Sequence, residues 1–214
     1  MLMRLHLGAV PNSPDFTPDG RWRPMRELSP WLAQLVAFPL GIAAAVLLAV
    51  LWCVLTPLRN TISTLSPSSL FHSFLDMSIP SLLLLLLGLV ALTVIHELLH
   101  AAVHPMAGRS PRTVLGFWPS TLLFYAWYEG ERSRNRLITG LLMPLFVLSF
   151  LPLVVAVVWQ IASGWAALAS CFNALASCVD ILGAGMLFFQ VPCTAIVRNQ
   201  GWWTYWREAE AVTS

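Results

Sequence analysis

The chain has 214 residues, of which 57 % are apolar and only 10 % are charged, and its formal net charge is +2. Globular domains carry roughly 45–50 % apolar and about 25 % charged residues. A water-soluble particle of this size could not cover its surface with so few charges. The composition therefore excludes a soluble cytosolic enzyme, a nucleic-acid-binding protein and a disordered chain, and it indicates an integral membrane protein.

Four apolar stretches are long enough to cross a bilayer, which takes about 20 residues. In chain order they are Trp31–Leu55, Ile79–Val103, Leu137–Trp159 and Trp165–Val191. Helices are the expected structure, because an open sheet edge cannot be left in lipid. We therefore predict an all-α membrane protein, a bundle of about four transmembrane helices in residues 31–197, between an N-terminal tail (1–30) and a C-terminal tail (198–214). Pro144 and Pro152 predict kinks in the third helix.

The arginine residues predict the orientation of the bundle. With four spans, eleven arginines fall on one side of the membrane and Arg59 alone falls on the other. Positively charged residues accumulate on the cytoplasmic side of membrane proteins. Both termini and the long loop of residues 104–136 are therefore expected in the cytoplasm, and the chain is expected to be a multi-pass protein of the cell membrane, either inner or plasma membrane.

The loop between the second and third helices has an unusual composition. Its middle, Val114–Tyr128, is rich in aromatic and aliphatic residues, but Gly116 and Pro119 interrupt it and it is too short for a fifth span. It could form a strand pair or a re-entrant segment lying against the bundle. An aromatic loop at the membrane interface fits the same composition equally well. The sequence thus predicts an interfacial or re-entrant loop between helices 2 and 3.

Only two of the ten acidic residues, Glu97 and Asp180, fall inside the apolar stretches. A carboxylate at bilayer depth costs on the order of 2.5–3.5 kcal/mol on insertion scales, so such a residue is a candidate functional residue. Glu97 belongs to the segment His96–His100, which has the pattern H-E-x-x-H. Residues four apart lie on one face of a helix, so the two imidazoles can converge on one cation. Glu97 lies beside that cation and can accept a proton from water bound to it.

Two histidines leave a zinc ion under-coordinated, since a catalytic zinc takes three protein ligands and one water. His104 lies about 12 Å along the helix from His96, at 1.5 Å per residue, which is too far to share one ion. It is better placed as an interfacial residue, a neighbour of the ligands or a substrate contact. Asp180 is the better third ligand, because it is the other acid at membrane depth. Asn173 shares its helix face and could orient a ligand or contact substrate, or simply join two helices.

From His96–His100 to Asn173–Asp180 the sequence resembles a known group. It looks like the putative zincin peptidase family of small bacterial integral membrane proteins, which is itself similar to the site-2 protease class of intramembrane metalloproteases. The resemblance covers roughly Leu75–Gln190. It implies a zinc ion held by His96, His100 and Asp180, with Glu97 as the base for peptide-bond hydrolysis.

The predicted function is therefore a membrane-embedded zinc metallopeptidase. Its partners would be a membrane protein or peptide substrate and the lipid bilayer, with no nucleic acid. A helical substrate must unwind before its peptide bonds can be attacked, and Val114–Tyr128 could pair with it as an added strand. Two alternatives stay open: a divalent-metal transporter, although one set of ligands is few for a permeation pathway, and a non-catalytic membrane scaffold with a vestigial metal site.

Overall fold

The computed structural model describes residues 3–58 and 76–209. Its helices, in chain order, are α1 (Pro30–Leu55), α2 (Ile79–Val103), α3 (Arg134–Pro144), α4 (Leu151–Trp159), α5 (Gly164–Ala176) and α6 (Cys178–Gln190). The helix α1, the helix α2 and the continuous segment Arg134–Trp159 are each long and apolar enough to cross a bilayer. The predicted bounds of the first two helices agree with the structure to within one residue. Arg59 lies outside the described residues.

The outer surfaces of these helices account for the scarcity of charge in the composition. Large apolar side chains point outward along much of their length, as with Leu84 and Leu87 of α2, which are 72 % and 66 % exposed. An apolar surface of this extent is unfavourable in water and favourable against lipid tails. The helices are therefore compatible with a membrane protein.

The fourth predicted span is broken into two helices. The helices α5 and α6 meet at Ser177 with a bend of 50°, so they form either one broken span or a re-entrant pair. The bend starts a new helix two residues before Asp180, which therefore lies in the first turn of α6. The positive end of a helix dipole favours an anionic side chain at that position.

The third span begins earlier than the sequence predicts and winds differently. Its first residue, Arg134, is buried, and its guanidinium donates hydrogen bonds to the carbonyls of Leu187 and Phe188 at the end of α6. Between α3 and α4 the backbone forms a π-helix, Leu145–Phe150, directly after Pro144. Instead of ending the helix, the proline is followed by a local change of winding.

The prediction of an all-α fold is wrong in one respect, because the residues outside the helices form two small sheets. The first, here called the hairpin sheet, has the order β1 (Arg4–Leu7), β3 (Thr113–Trp118), β4 (Leu123–Tyr128). Strands β3 and β4 pair antiparallel, with Gly116 opposite Tyr125. The strand-pair alternative for Val114–Tyr128 is therefore confirmed. Strand β4 lies at one edge of this sheet and packs against α2.

The second sheet, here called the terminal sheet, joins segments that are far apart in the chain. Its order is β2 (Arg23–Pro24), β7 (Trp203–Arg207), β6 (Ile196–Gln200), β5 (Arg132–Ser133), and every neighbouring pair is antiparallel. It brings both tails next to the start of α3. The tails therefore contribute folded structure beside the helices.

A close approach of α1 fixes the junction of α5 and α6. A side chain at Gly41 would bring its Cβ within 2.7 Å of both the Cys178 Cβ and the Leu175 carbonyl oxygen. Small residues allow such contact between membrane helices. Further along α1, Leu48 and Trp52 are almost fully buried in the apolar core of the bundle. The packing of α1 thereby holds the bend that precedes Asp180.

Candidate metal centre

The second half of α2 presents two histidine side chains toward the interior of the bundle. His96 and His100 are one helical turn apart and only 6 % and 8 % exposed. Their Nε2 atoms lie 3.1 Å apart. The i, i+4 spacing predicted from the sequence therefore brings the two rings to one point.

Asp180 reaches the same point from α6. One carboxylate oxygen lies 3.2 Å from the Nε2 of His96, and the other lies 3.4 Å from the Nε2 of His100. The acid predicted as the third ligand is therefore next to both imidazoles.

These separations fit a tetrahedral metal ion. With zinc bonds of about 2.0–2.1 Å, ligand atoms of a tetrahedral site stand about 3.3–3.4 Å apart. The two Nε2 atoms lie 3.1 Å apart, and they lie 3.2 and 3.4 Å from one oxygen each of the Asp180 carboxylate. Two nitrogens and a carboxylate are also ligand types that zinc accepts. The residues present can thus hold the zinc ion that the resemblance implies.

Hydrogen bonds at the far side of each ring orient the two histidines. The Nδ1–H of His100 donates to the carbonyl oxygen of Gly140 at 2.7 Å, since a carbonyl can only accept. The amide nitrogen of Asn173 donates to the Pro144 carbonyl and to the Ser149 hydroxyl, which leaves the amide oxygen to accept from the Nδ1–H of His96 at 2.9 Å. Both Nε2 lone pairs are therefore free to face the centre, as metal-binding histidines require.

Glu97 lies beside the two rings with a carboxylate oxygen unused. Its Oε2 is buried and has no hydrogen-bond partner among the residues that the structure describes. The ligand atoms of His96, Glu97 and His100 lie within 4.8 Å of one another, so on distance alone Glu97 competes with Asp180 for the third ligand position. The contacts favour Asp180, because its two oxygens each lie next to one imidazole, whereas the unpartnered Oε2 of Glu97 bonds to neither ring.

The structure does not bring His104 to the same point. It ends α2, is 5 % exposed, and its ring lies 5.4 Å from that of Tyr128. Burial and the nearby Arg132 guanidinium lower the pKa of His104 to about 3, so its imidazole is neutral at physiological pH. His104 does line the cavity that contains the other site residues, which is compatible with the substrate-contact alternative.

A cavity of about 240 Å³ connects the centre to the two sheets. Besides the residues described above, its wall includes the strand β4 from Leu123 to Trp127 and three residues close to the terminal sheet, namely Glu27, Trp202 and Thr204. A cavity next to buried titratable groups is the usual form of a small-molecule or peptide site.

Glu27 is a residue of this wall that the sequence analysis missed. Its carboxylate accepts hydrogen bonds from the backbone N–H and the hydroxyl of Thr204. Burial raises the pKa of Glu27 to about 7, and the two hydrogen bonds from Thr204 oppose that rise. The sequence carries no signal for it, because an acid in a tail rich in arginine and proline resembles any exposed acid. Gly140 was missed for a different reason, since the group it supplies is a backbone carbonyl.

Comparison with known proteins identifies the family. A family described as "Putative zincin peptidase" matches residues 89–196, which include His96, Glu97, His100, Asn173 and Asp180. No curated protein and no solved structure shows significant similarity to the chain. Since the match covers half of the chain and all the residues that converge on the centre, the chain belongs to the family of putative zincin peptidases.

Proposed function

We propose that the chain is a membrane-embedded zinc metalloendopeptidase of the H-E-x-x-H type, with a ligand arrangement similar to that of site-2 proteases. The observation that carries this proposal is the convergence of the His96 and His100 Nε2 atoms and the Asp180 carboxylate within 3.4 Å of one another. Family membership supports a metallopeptidase, and a His-Glu-His cluster supports metal binding.

Each side chain of the centre has a separate role in this proposal. His96, His100 and Asp180 would hold the ion, whose Lewis acidity would polarise a scissile carbonyl and make water a nucleophile near neutral pH. Glu97 accepts the proton of the attacking water on its unused oxygen and passes it to the leaving amine. The hydrogen bonds from His96 to Asn173 and from His100 to Gly140 keep both rings in place while the charges change.

The position of β4 suggests how a substrate is held. Strand β4 is an edge of the hairpin sheet, and residues 123–127 of it line the cavity that contains Glu97. An extended peptide can add to such an edge through main-chain hydrogen bonds, which bind it irrespective of side chains. Pairing with β4 would therefore hold an unwound segment of a membrane or membrane-proximal protein beside the metal centre. We place the enzyme in the cell membrane with both termini in the cytoplasm, where the terminal sheet would cover the centre.

The metal content of the detergent-purified protein tests the ligand assignment. We expect one zinc ion per chain in the wild type and none in His96→Ala or Asp180→Ala. His6→Ala and Asp76→Ala remove exposed residues of the same two types, so both should retain the ion. Loss of zinc in Glu97→Ala but not in Asp180→Ala would show that the wrong carboxylate was assigned. A wild type without zinc would reject the proposal.

A further inference from the structure

Pro144 lacks the backbone N–H that other residues of its span possess, so it leaves one helix carbonyl without its usual donor. In an α-helix the N–H of residue 144 would donate to the carbonyl of residue 140, but proline has no N–H, and its ring pushes that carbonyl away from the helix axis. The next donor, the N–H of Leu145, goes to the carbonyl of Leu142. The Gly140 carbonyl thus keeps its accepting capacity for a side chain.

The side chain that uses this carbonyl is His100. Its Nδ1–H donates to the Gly140 oxygen at 2.7 Å, the shortest hydrogen bond that either imidazole makes. This bond requires the proton of the neutral ring to be on Nδ1, and it leaves Nε2 unprotonated beside His96 and Asp180, where a bound cation would meet it.

The carbonyl of Pro144 acts on the other imidazole. It accepts a hydrogen bond from the side-chain nitrogen of Asn173 at 3.0 Å, at the point where the π-helix begins and the regular i→i+4 pairing stops. With that nitrogen engaged, the amide of Asn173 can present only its oxygen to the Nδ1–H of His96. Pro144 therefore bears on the orientation of both rings: the N–H that it lacks leaves the Gly140 carbonyl to His100, and its own carbonyl holds the Asn173 amide that faces His96.

We infer that Pro144 is the positioning residue of the centre, which sets the Nδ1–H form and the orientation of His96 and His100. The inference rests on the proposed function in so far as the oriented Nε2 atoms serve to bind zinc. It assigns to Pro144 a chemical role beyond bending the span. Pro152, in the same span, follows the π-helix, and among the described residues no side chain of the metal centre bonds to the carbonyl of Leu148, four residues before it.

The test compares Pro144→Ala with Pro152→Ala, each of which restores one backbone N–H in the same span. In Pro144→Ala the new N–H draws the Gly140 carbonyl back toward the helix axis and away from His100. We expect the dissociation constant for zinc, measured by chelator competition, to rise about 10- to 100-fold, as for other losses of support behind a metal ligand. Pro152→Ala should change it by no more than about twofold. Equal effects in the two variants would overturn the inference, because both would then report only on helix shape.

A second measurement needs no zinc. Because the Asp180 carboxylate would otherwise draw a proton onto Nε2, it uses metal-free Asp180→Ala protein labelled with ¹⁵N-histidine. In that background the neutral ring of His100 should be protonated at Nδ1, as its bond to the Gly140 carbonyl requires, and adding Pro144→Ala should shift it toward a mixture of the two forms. Protonation of His100 at Nε2 in Asp180→Ala, or no shift on adding Pro144→Ala, would overturn the inference. Absence of zinc binding in the wild type would instead reject the proposed function and leave this result standing.

Discussion

The two halves of α2 are similarly apolar in the sequence, but only the second half has a face that is buried among polar partners. The first half carries exposed leucines such as Leu84 and Leu87. The second half buries His96 and His100, whose rings are bonded to residues of α3, α5 and α6. Polar side chains occur in this helix where partners from other helices surround them, since an unpaired polar group at membrane depth is costly. The comparison teaches that contacts between helices, more than the hydropathy of α2, define the site.

The largest effect is expected from Glu97→Gln in the second half of α2. This substitution leaves the helix and the ligands in place and removes the proposed proton acceptor. General base catalysis contributes typically 10²–10⁴-fold, so we expect cleavage to fall by at least about 100-fold. Zinc content should stay that of the wild type. The measurement is the appearance of new protein N-termini when the purified enzyme is added to isolated membranes.

The matched control for Glu97→Gln is Asp76→Asn, which neutralises an exposed acid just before α2 and should leave cleavage unchanged. Cleavage that persists in Glu97→Gln would contradict the assignment of the base. Zinc binding with no cleavage in any variant, wild type included, would favour the non-catalytic scaffold. Zinc flux into proteoliposomes that is lost in Glu97→Gln would favour the transporter.

A smaller effect, on zinc affinity, is expected from Asn173→Ala. This substitution removes a buried hydrogen-bond partner of His96 and changes none of the proposed metal ligands. The ring then loses its Nδ1–H acceptor, and the Pro144 carbonyl loses a donor. Outer partners of metal ligands typically contribute 10- to 100-fold in affinity, and we expect a loss in this range for zinc. Asn135→Ala removes an exposed amide of α3 and should have no effect. Unchanged affinity in Asn173→Ala would reduce its role to an ordinary contact between helices.

The sequence leads to the side chains that the structure brings together, but not to the backbone groups that bond to them. The H-E-x-x-H pattern and the scarcity of acids at membrane depth lead to His96, Glu97, His100 and Asp180, because a charged or metal-binding residue in an apolar run is conspicuous. The carbonyl of Gly140 has no residue type to reveal it. It becomes visible only through the spacing to Pro144, which requires knowing that the span stays helical there.

The sequence also does not allow prediction of where α3 begins or of how the two tails pair in the terminal sheet. Arg134 is read as a loop residue because it is charged, yet it begins α3 and donates to carbonyls of α6. The strands of the terminal sheet pair residues about 180 positions apart, such as Arg23 with Trp206. Short strands with weak alternation carry no signal for such distant partners. The segment Val114–Tyr128 did allow the strand pair, because aromatic and aliphatic residues of this kind favour strands.

Glu27 is a buried acid outside α2, and it tests whether burial among polar partners also has an effect away from the metal centre. Because its pKa in the folded protein is raised to about 7 from 4.5, the folded state retains a proton that the unfolded chain releases. The stability that this proton confers is complete below pH 4.5 and is lost as the pH rises through 7. The full difference would amount to roughly 3 kcal/mol at 1.36 kcal/mol per pH unit, and partial exposure to the cavity reduces our expectation to about 1–2 kcal/mol.

Glu27→Gln should remove this pH dependence, because the amide cannot ionise. We expect the denaturant midpoint of the wild type in detergent to fall between pH 5 and pH 8 and that of the variant to fall less. Glu208→Gln, which changes an exposed acid directly after β7, is the control and should follow the wild type. A variant with the same pH dependence as the wild type would show that Glu27 titrates as an exposed acid.

The smallest expected effect belongs to the first half of α2. Leu84→Ala removes apolar surface that is already 72 % exposed, so in a bilayer or detergent micelle it exchanges a contact with lipid tails for another. Substitutions at such positions usually change stability by no more than about 0.5 kcal/mol. Zinc affinity should also stay within about twofold, because Leu84 lies three helical turns from His96, about 18 Å along the axis at 1.5 Å per residue. A large loss of zinc binding in Leu84→Ala would mean that the whole helix, and not only its second half, is coupled to the metal centre.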